Sequence, residues 1–322
     1  MRVLCTLILA GLTAAAAAQP ASSYPTRPVR LVIPFGPGGG TDVTARSIGE
    51  YMSPRLGQPV VVESRPGGNS VIASDLVAKS APDGHTLLLT TDIHAINGAY
   101  GAGLPYDSIK DFAFVVQLTT SPLMLVAHPS TGIRSMAELV AAAKAAPGKL
   151  SFGSLGTSSP HYLGFEWFKQ LAGIRMLDVP YKGGGQVAAD VMGGQVNTAL
   201  IVAGNGIRLA KAGKLNALAV TSERRHAIAP EVPTIAEAGF PGYALVNWYG
   251  IMVPAGTPAA IITRLNSEIN GALKTAAIAE RLAGVGLDVA PGTPAEFEAL
   301  VKRDIAKYRR IIEMIGARPE GK

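Results

Sequence analysis

A unit that recurs along the chain limits its fold most: a short apolar run, a glycine-rich turn, then residues at helical spacing. Residues 29–35 are largely apolar and the turn Gly36-Pro37-Gly38-Gly39-Gly40-Thr41-Asp42 follows. Ala45, Ile48, Tyr51, Met52 and Leu56 then recur on one helix face, with Thr41 or Asp42 placed to cap it. Residues 60–62 predict a second strand, 66–70 a second glycine turn leading to a helix through Ala78, and 86–91 a third strand. The middle of the chain repeats the unit. Strands at 123–127 and 150–153 flank a helix over 135–146. Gly156-Thr157-Ser158-Ser159-Pro160 opens a helix through Leu171, 179–185 opens another, and 215–220 is a further strand. From Pro258 the pattern is mostly helical. Such alternation predicts an α/β fold with a parallel or mixed sheet covered by helices. The echo of Gly38-Gly39-Gly40 in Gly183-Gly184-Gly185 predicts two lobes facing one cleft. No fixed period recurs, which argues against a solenoid.

Composition narrows the partners. The 322 residues suffice for two lobes, and 48% hydrophobic against 16% charged residues excludes disorder. The net charge of +6 is spread thinly. The densest cationic run, Lys302-Arg303 to Arg309-Arg310, contains Asp304 and reads as the polar face of a terminal helix, so nucleic acid is not an expected partner. A mildly positive field remains suited to small anions. At the start, Met1-Arg2 precedes an apolar run to Ala18, and Ala16-Ala17-Ala18 supplies small residues. This predicts an export signal over residues 1–18, too short for a comfortable membrane span. Cys5, the one cysteine, lies inside it, so the mature chain is expected to form no disulfide, thiol nucleophile or Cys-ligated metal site.

A strand that feeds a glycine turn and then a helix presents bare N–H groups at the positive helix end, which favours an anion. Three loops have this form: 36–42, 156–159 and 182–186, and Lys182 is the cation within them. A dinucleotide reading competes, since Gly36-x-Gly38-x-x-Thr41 nearly meets the G-x-G-x-x-G pattern and Glu63 closes the second strand. Thr41 replaces the third glycine, and an exported protein meets little NAD. No G-x-S-x-G elbow and no Walker loop occurs, and His85, His94, His128, His161 and His226 show no metal-ligand spacing. Trp167 shares a helix face with Leu163 and Leu171 and reads as core; Trp248 suits a cleft wall or a core plug equally.

The chain resembles the solute-binding receptors of tripartite tricarboxylate transporters, the Bug receptors. The resemblance lies in YPTRPVRLVIPFGPGGGTDVTAR (24–46), VESRPGGNSVIASDLVAKSAPDGHTLLL (62–89), DVPYKG (178–183), GKLNALAVTS (213–222), VPTIAEAG (232–239) and VPAGTP (253–258). Three places depart from the pattern: Asn69-Ser70 stand where glycines are expected, His85 stands where Tyr is common, and His161 comes one position early.

The resemblance implies a two-lobed periplasmic binding protein of type II-like architecture, with mixed sheets, helices on both faces and a ligand cleft between the lobes. Lobe I would be 22–122 plus 224–322, and lobe II 123–223. One wall of the cleft would be Phe35, Gly38, Gly39, Gly40, Thr41 and Asp42. Thr91, Asp92 and His94 would close the third strand, and Thr157, Ser158, Ser159, His161, Tyr181, Lys182 and Gly183 would come from the second lobe. The expected protein is a periplasmic monomer without catalytic residues, metal or cofactor, which captures a small carboxylate for membrane transporter subunits. The alternative is an exported hydrolase or isomerase acting on a small organic acid; it needs a base with a shifted pKa beside a nucleophile, and the sequence offers no such pair.

Overall fold

The structure is a computed structural model and describes residues 24–101, 103–181 and 183–318. The signal predicted over 1–18, and Lys182, lie outside the described residues. The first stretch of chain alternates β1 (Val29–Ile33), α1 (Gly40–Leu56), β2 (Val60–Ser64), α2 (Val71–Ala78), β3 (Thr86–Thr91) and α3 (Ile93–Tyr100). A long strand, β4 (Phe112–Ala127), leads to α4 (Met136–Ala145), β5 (Ser151–Ser154), α5 (Pro160–Ala172), β6 (Leu177–Pro180), α6 (Gly184–Met192), β7 (Thr198–Val202), α7 (Ala203–Lys211) and β8 (Asn216–Val220). The return passes through β9 (Val246–Pro254), α8 (Ala259–Leu273), α9 (Ala276–Ala283), β10 (Asp288–Val289) and α10 (Pro294–Ile315).

The strand order is β2-β1-β3-β9-β4-β7-β5-β6, with β8 and β10 also pairing β4. Strand β1 runs parallel to β2 and β3, and β5 runs parallel to β6 and β7, while β9 and β4 run antiparallel to their neighbours. The sheet is therefore mixed, as the alternation predicts. Strand β4 changes partner at one point. It pairs β9 from Phe112↔Pro254 to Pro122↔Val246, and pairs β7 from Leu123↔Val202 onward. A proline suits that point because it has no N–H to give to either ladder.

Helices cover both faces. Leu31, Ile33 and Leu87 pack against Ile48 and Met52 of α1, Leu265 and Ile269 of α8 and Leu282 of α9. On the opposite face Val32 and Leu88 meet α3 and Phe297, Val301 and Tyr308 of α10, and this core runs on into Leu123, Leu125, Phe152, Phe165 and Phe168. Met124, Val126, Ala199 and Ile201 fill the remaining side with α6 and α7. Each strand that is buried on both faces reads in sequence as a continuous apolar run, which is why 86–91 and 123–127 are legible.

Two expectations change. Residues 234–245, assigned from sequence to the first lobe, pack on elements that follow Leu123. Ile235 N–H donates to Val220 O (2.9 Å), Tyr243 Oη donates to Gly164 O (3.0 Å), and Trp167 stacks on Tyr243 at 4.5 Å. Leu171, grouped with Leu163 as core, is 43% exposed, while Leu163 is fully buried.

Candidate functional site

The loops that follow β1, β5, β6 and β7 leave the C-terminal ends of parallel strands, where open α/β sheets bind ligands. The first residues after β1 are held from below: Ser64 Oγ donates to Phe35 O (2.6 Å). Gly38 has φ +86°, in the left-handed region that glycine tolerates. Its N–H donates to the Asp42 carboxylate (3.0 Å), whose other oxygen accepts from Arg46 Nε (2.9 Å). The bond from Arg46 and the bond from Gly38 hold the Asp42 pKa below its usual value. Asp42 thus braces the loop, and Arg46 neutralises a charge that would repel an anion. Gly39 is the N-cap of α1 and offers no side-chain cap. Gly40 is glycine because Tyr249 of β9 lies beneath it; a Cβ would meet Tyr249 Oη at 2.7 Å. Thr41 is buried in the first turn.

In the second lobe α5 is capped: Ser159 Oγ accepts from Tyr162 N–H (3.1 Å) and donates to Gly156 O (2.7 Å). The next two helices are not. Gly183 caps α6 and Val202 caps α7 without a side-chain bond. Of the four helices that follow these strands, α1, α6 and α7 therefore begin with N–H groups that no capping side chain covers, each carrying the partial positive charge of a helix start. Between the lobes lies a cavity of about 640 Å³, bounded by Leu155, His161, Gly184 and Gly185 from the second lobe and by the α9–β10 turn (283–286) from the first. Arg208 stands on its wall, its Nη2 donating to Asn205 Oδ1 (2.8 Å). The lobes touch closely here: a Cβ on Gly286 would lie 2.5 Å from Val202 Cγ1. A second interlobe contact runs from Tyr100 Oη to Thr157 O (3.1 Å).

His161 lines the cavity, and its Nδ1 is sealed from solvent without a hydrogen-bond partner. Burial pushes the ring's pKa down to about 4, so it is neutral at physiological pH. Ser158 and Ser159 are buried beside it, while Gly183 and Tyr181 stand half-buried at the neighbouring turn, where Tyr181 N–H donates to Ser154 O (2.8 Å). The end of β3 behaves differently. Thr91 Oγ1 accepts from Ile93 N–H (3.3 Å). Asp92 is buried, burial first and the nearby Asp304 carboxylate second raise its pKa to about 8, and Tyr308 Oη donates to it (3.3 Å). His94 is wholly enclosed, Nε2 facing Ser108 O at 2.9 Å, stacked on Tyr106 and edge-on to Phe112; burial pushes it down to about 4. Asp92 and His94 are thus core groups rather than cleft walls, a correction to the sequence reading. Trp248 is also settled as core: it is 1% exposed and its Nε1 donates to Asp304 (2.8 Å). Sequence reasoning missed Asn205, Arg208 and the 283–286 turn, because Ala203-Gly204-Asn205-Gly206 reads as loop although it opens a helix. Among the described residues no group of three His, Cys, Asp or Glu could hold a metal ion, and no helix is long and apolar enough to cross a membrane.

The tripartite tricarboxylate transporter family receptor matches residues 44–317. The chain belongs to that family. The receptor is 38% identical over 312 residues to the UPF0065 protein in the tcbD-tcbE intergenic region of Pseudomonas sp. (strain P51), covering 97% of this chain and 93% of the other. It is 35% identical over 305 residues to protein BugT of Bordetella pertussis, 94% of each chain. Among solved structures it is similar to R. palustris Rpa4515 with adipate (34% identity, TM-score 0.80, 92% of this chain and 99% of that one). It is also similar to MatC from Rhodopseudomonas palustris with bound malate (30%, TM-score 0.76, 90% and 100%). The receptor has the two-lobed binding-protein fold of these neighbours and is a carboxylate-binding solute receptor rather than an enzyme. The hydrolase alternative is not favoured.

Proposed function

We propose that this receptor captures a small dicarboxylate between its lobes in the periplasm, as a monomer, and delivers it to membrane transporter subunits. The observation that carries the reading is the set of uncapped helix starts of α1, α6 and α7, together with Arg208 on the wall of the interlobe cavity. One carboxylate would rest on N–H groups after Gly39 and Gly183, helped by the Ser158 and Thr157 turn. The second would meet Arg208, which Asn205 pre-orients for a forked contact. His161, being neutral, can share a hydrogen bond without demanding a charge. The adipate and malate found in the two neighbours are acids of this class and support the assignment.

The lobes of this reading are 24–122 with 246–318, and 123–245, divided where β4 and β9 exchange partners. The remaining described loop residues of the sequence reading, Phe35, Gly38, Gly40, Thr41, Asp42 and Tyr181, frame the first carboxylate or brace its cradle, and Lys182 is assigned to the site by the resemblance alone. Export follows from the signal over 1–18, and N-terminal sequencing of periplasmic protein should begin near Gln19. The test of binding is a thermal melt of the mature chain with succinate, malate, adipate and citrate. A ligand at ~100 times its Kd should add roughly 2.7 kcal/mol, and no product should form on long incubation. A panel without any shift, or turnover of a bound acid, overturns the reading.

A further inference from the structure

Helix α10 presents a stripe that the carboxylate cleft does not use. Leu300, Arg303, Asp304, Lys307, Ile311 and Met314 recur at three- and four-residue spacing, so they share one face. That face looks into a cavity of about 790 Å³ whose other walls are the Pro122–Val246 crossing of β4 and β9, and Trp167 and the 242–244 turn beyond it. The cavity is distinct from the cleft. Tyr249 reaches the underside of Gly40, at the cleft loop, and the preceding residue, Trp248, points to the opposite face of the sheet, towards α10.

The lining has two halves. Half-buried Trp167 and Leu300 make an apolar floor, and buried Trp248 and Ile311 lie directly beneath it, so both tryptophans of the chain are at the cavity. Arg224, Arg303 and Arg310 stand around it, and among the described residues none of the three forms an ion pair. The Asp304 carboxylate is already satisfied by Lys307 Nζ (2.9 Å) and Trp248 Nε1 (2.8 Å), so the lining keeps an excess of positive charge over the single further acid, Glu223.

We infer that this hinge-side cavity is a second binding site, for an amphipathic organic anion with one acidic head and an apolar body. Guanidinium groups hold carboxylate or sulfonate oxygens through forked hydrogen bonds, and the partly exposed Trp167 and Leu300 take the body. The occupant touches α10 on one side and Trp167 on the other, across the Pro122–Val246 crossing. It therefore favours one interlobe angle, and by linkage its affinity and that of the cleft ligand depend on each other.

The experiment uses the mature chain and 1-anilinonaphthalene-8-sulfonate, an anion of this shape that accepts energy from excited tryptophan. Saturable transfer from the two tryptophans is the expected result. The Arg303→Ala, Arg310→Ala double variant should raise the dye's Kd roughly tenfold or more, since two charge-assisted contacts are lost. Both arginines are exposed, so a matching melting curve should show the variant folded. Gly39→Val, altered only in the cleft, should keep the wild-type dye affinity. Absence of transfer, an unchanged Kd in the arginine double variant, or loss of the dye in Gly39→Val would each overturn the inference.

Discussion

Gly39 separates a ligand cradle from a mere turn more sharply than any other residue. Its backbone is extended, φ −84° and ψ 174°, and a Cβ there would meet nothing within 4 Å. Gly38, not Gly39, needs the left-handed region. Gly39→Val should therefore leave the melting temperature nearly unchanged while it blocks the approach to the first turn of α1. Calorimetry should find a bound carboxylate weakened by an order of magnitude or more; a variant that binds normally would show that the α1 start is not in the site. Buried titratable groups give a second residue-scale prediction. Asp92, with a folded pKa of about 8, holds a proton that the unfolded chain releases, so between roughly pH 4 and 8 it lowers stability as pH rises. His94 and His161, near 4 in the fold, act in the opposite sense, but only between roughly pH 4 and 6.5, the ordinary histidine value. Above pH 6.5 the histidine slopes fade and the Asp92 slope outweighs them. Melts at pH 6.5 and 8 should show wild type losing stability and Asp92→Asn losing much less. Equal losses would place the titration elsewhere.

At the scale of elements, the legible parts are those whose apolar runs are buried on both faces or whose helices open directly after a glycine- or serine-rich turn. Strands β1 and β3 and helices α1 and α5 are of this kind. The first half of β4, FAFVVQLTTSP, is hard to read in sequence because two bulges break its alternation, between Phe114 and Val116 and between Gln117 and Thr119. Helix α3 is hard to read because only Asp92 separates it from β3, and α7 because its glycines imitate a loop. The Asn69-Ser70 departure has a physical meaning: both residues adopt positive φ, +50° and +75°, where the resemblance leads one to expect glycine. Ser70 is also buried with an unpaired hydroxyl. Ser70→Gly should raise stability by about 1 kcal/mol, read from denaturant melts; no gain would mean that the hydroxyl has a partner worth as much as the strain. Gly250 in β9 is the reverse case. A Cβ there would lie 2.0 Å from Phe297 Cζ, in the core beneath α10. Gly250→Ala should cost about 1–3 kcal/mol by overpacking, and a neutral melt would show that α10 shifts freely.

For the whole molecule, the sequence is enough to expect two lobes and the glycine turn after β1, because glycine turns at strand ends are a local signal. It could not show that the two lobes meet through Gly286 and Val202 or through Tyr100 and Thr157, since contacts between distant segments leave no periodic trace. Arg208 was invisible for the same reason: only the approach of the α9–β10 turn makes its helix face a cavity wall. The central claim, that backbone N–H groups take one carboxylate and Arg208 the other, is tested most directly by calorimetric titration of wild type and Arg208→Gln with adipate and with hexanoate, its single-acid counterpart. The account predicts that wild type prefers adipate, and that Arg208→Gln lowers adipate affinity roughly tenfold while hexanoate is unchanged. Equal binding of the two acids by wild type, or an adipate affinity indifferent to Arg208, would contradict it.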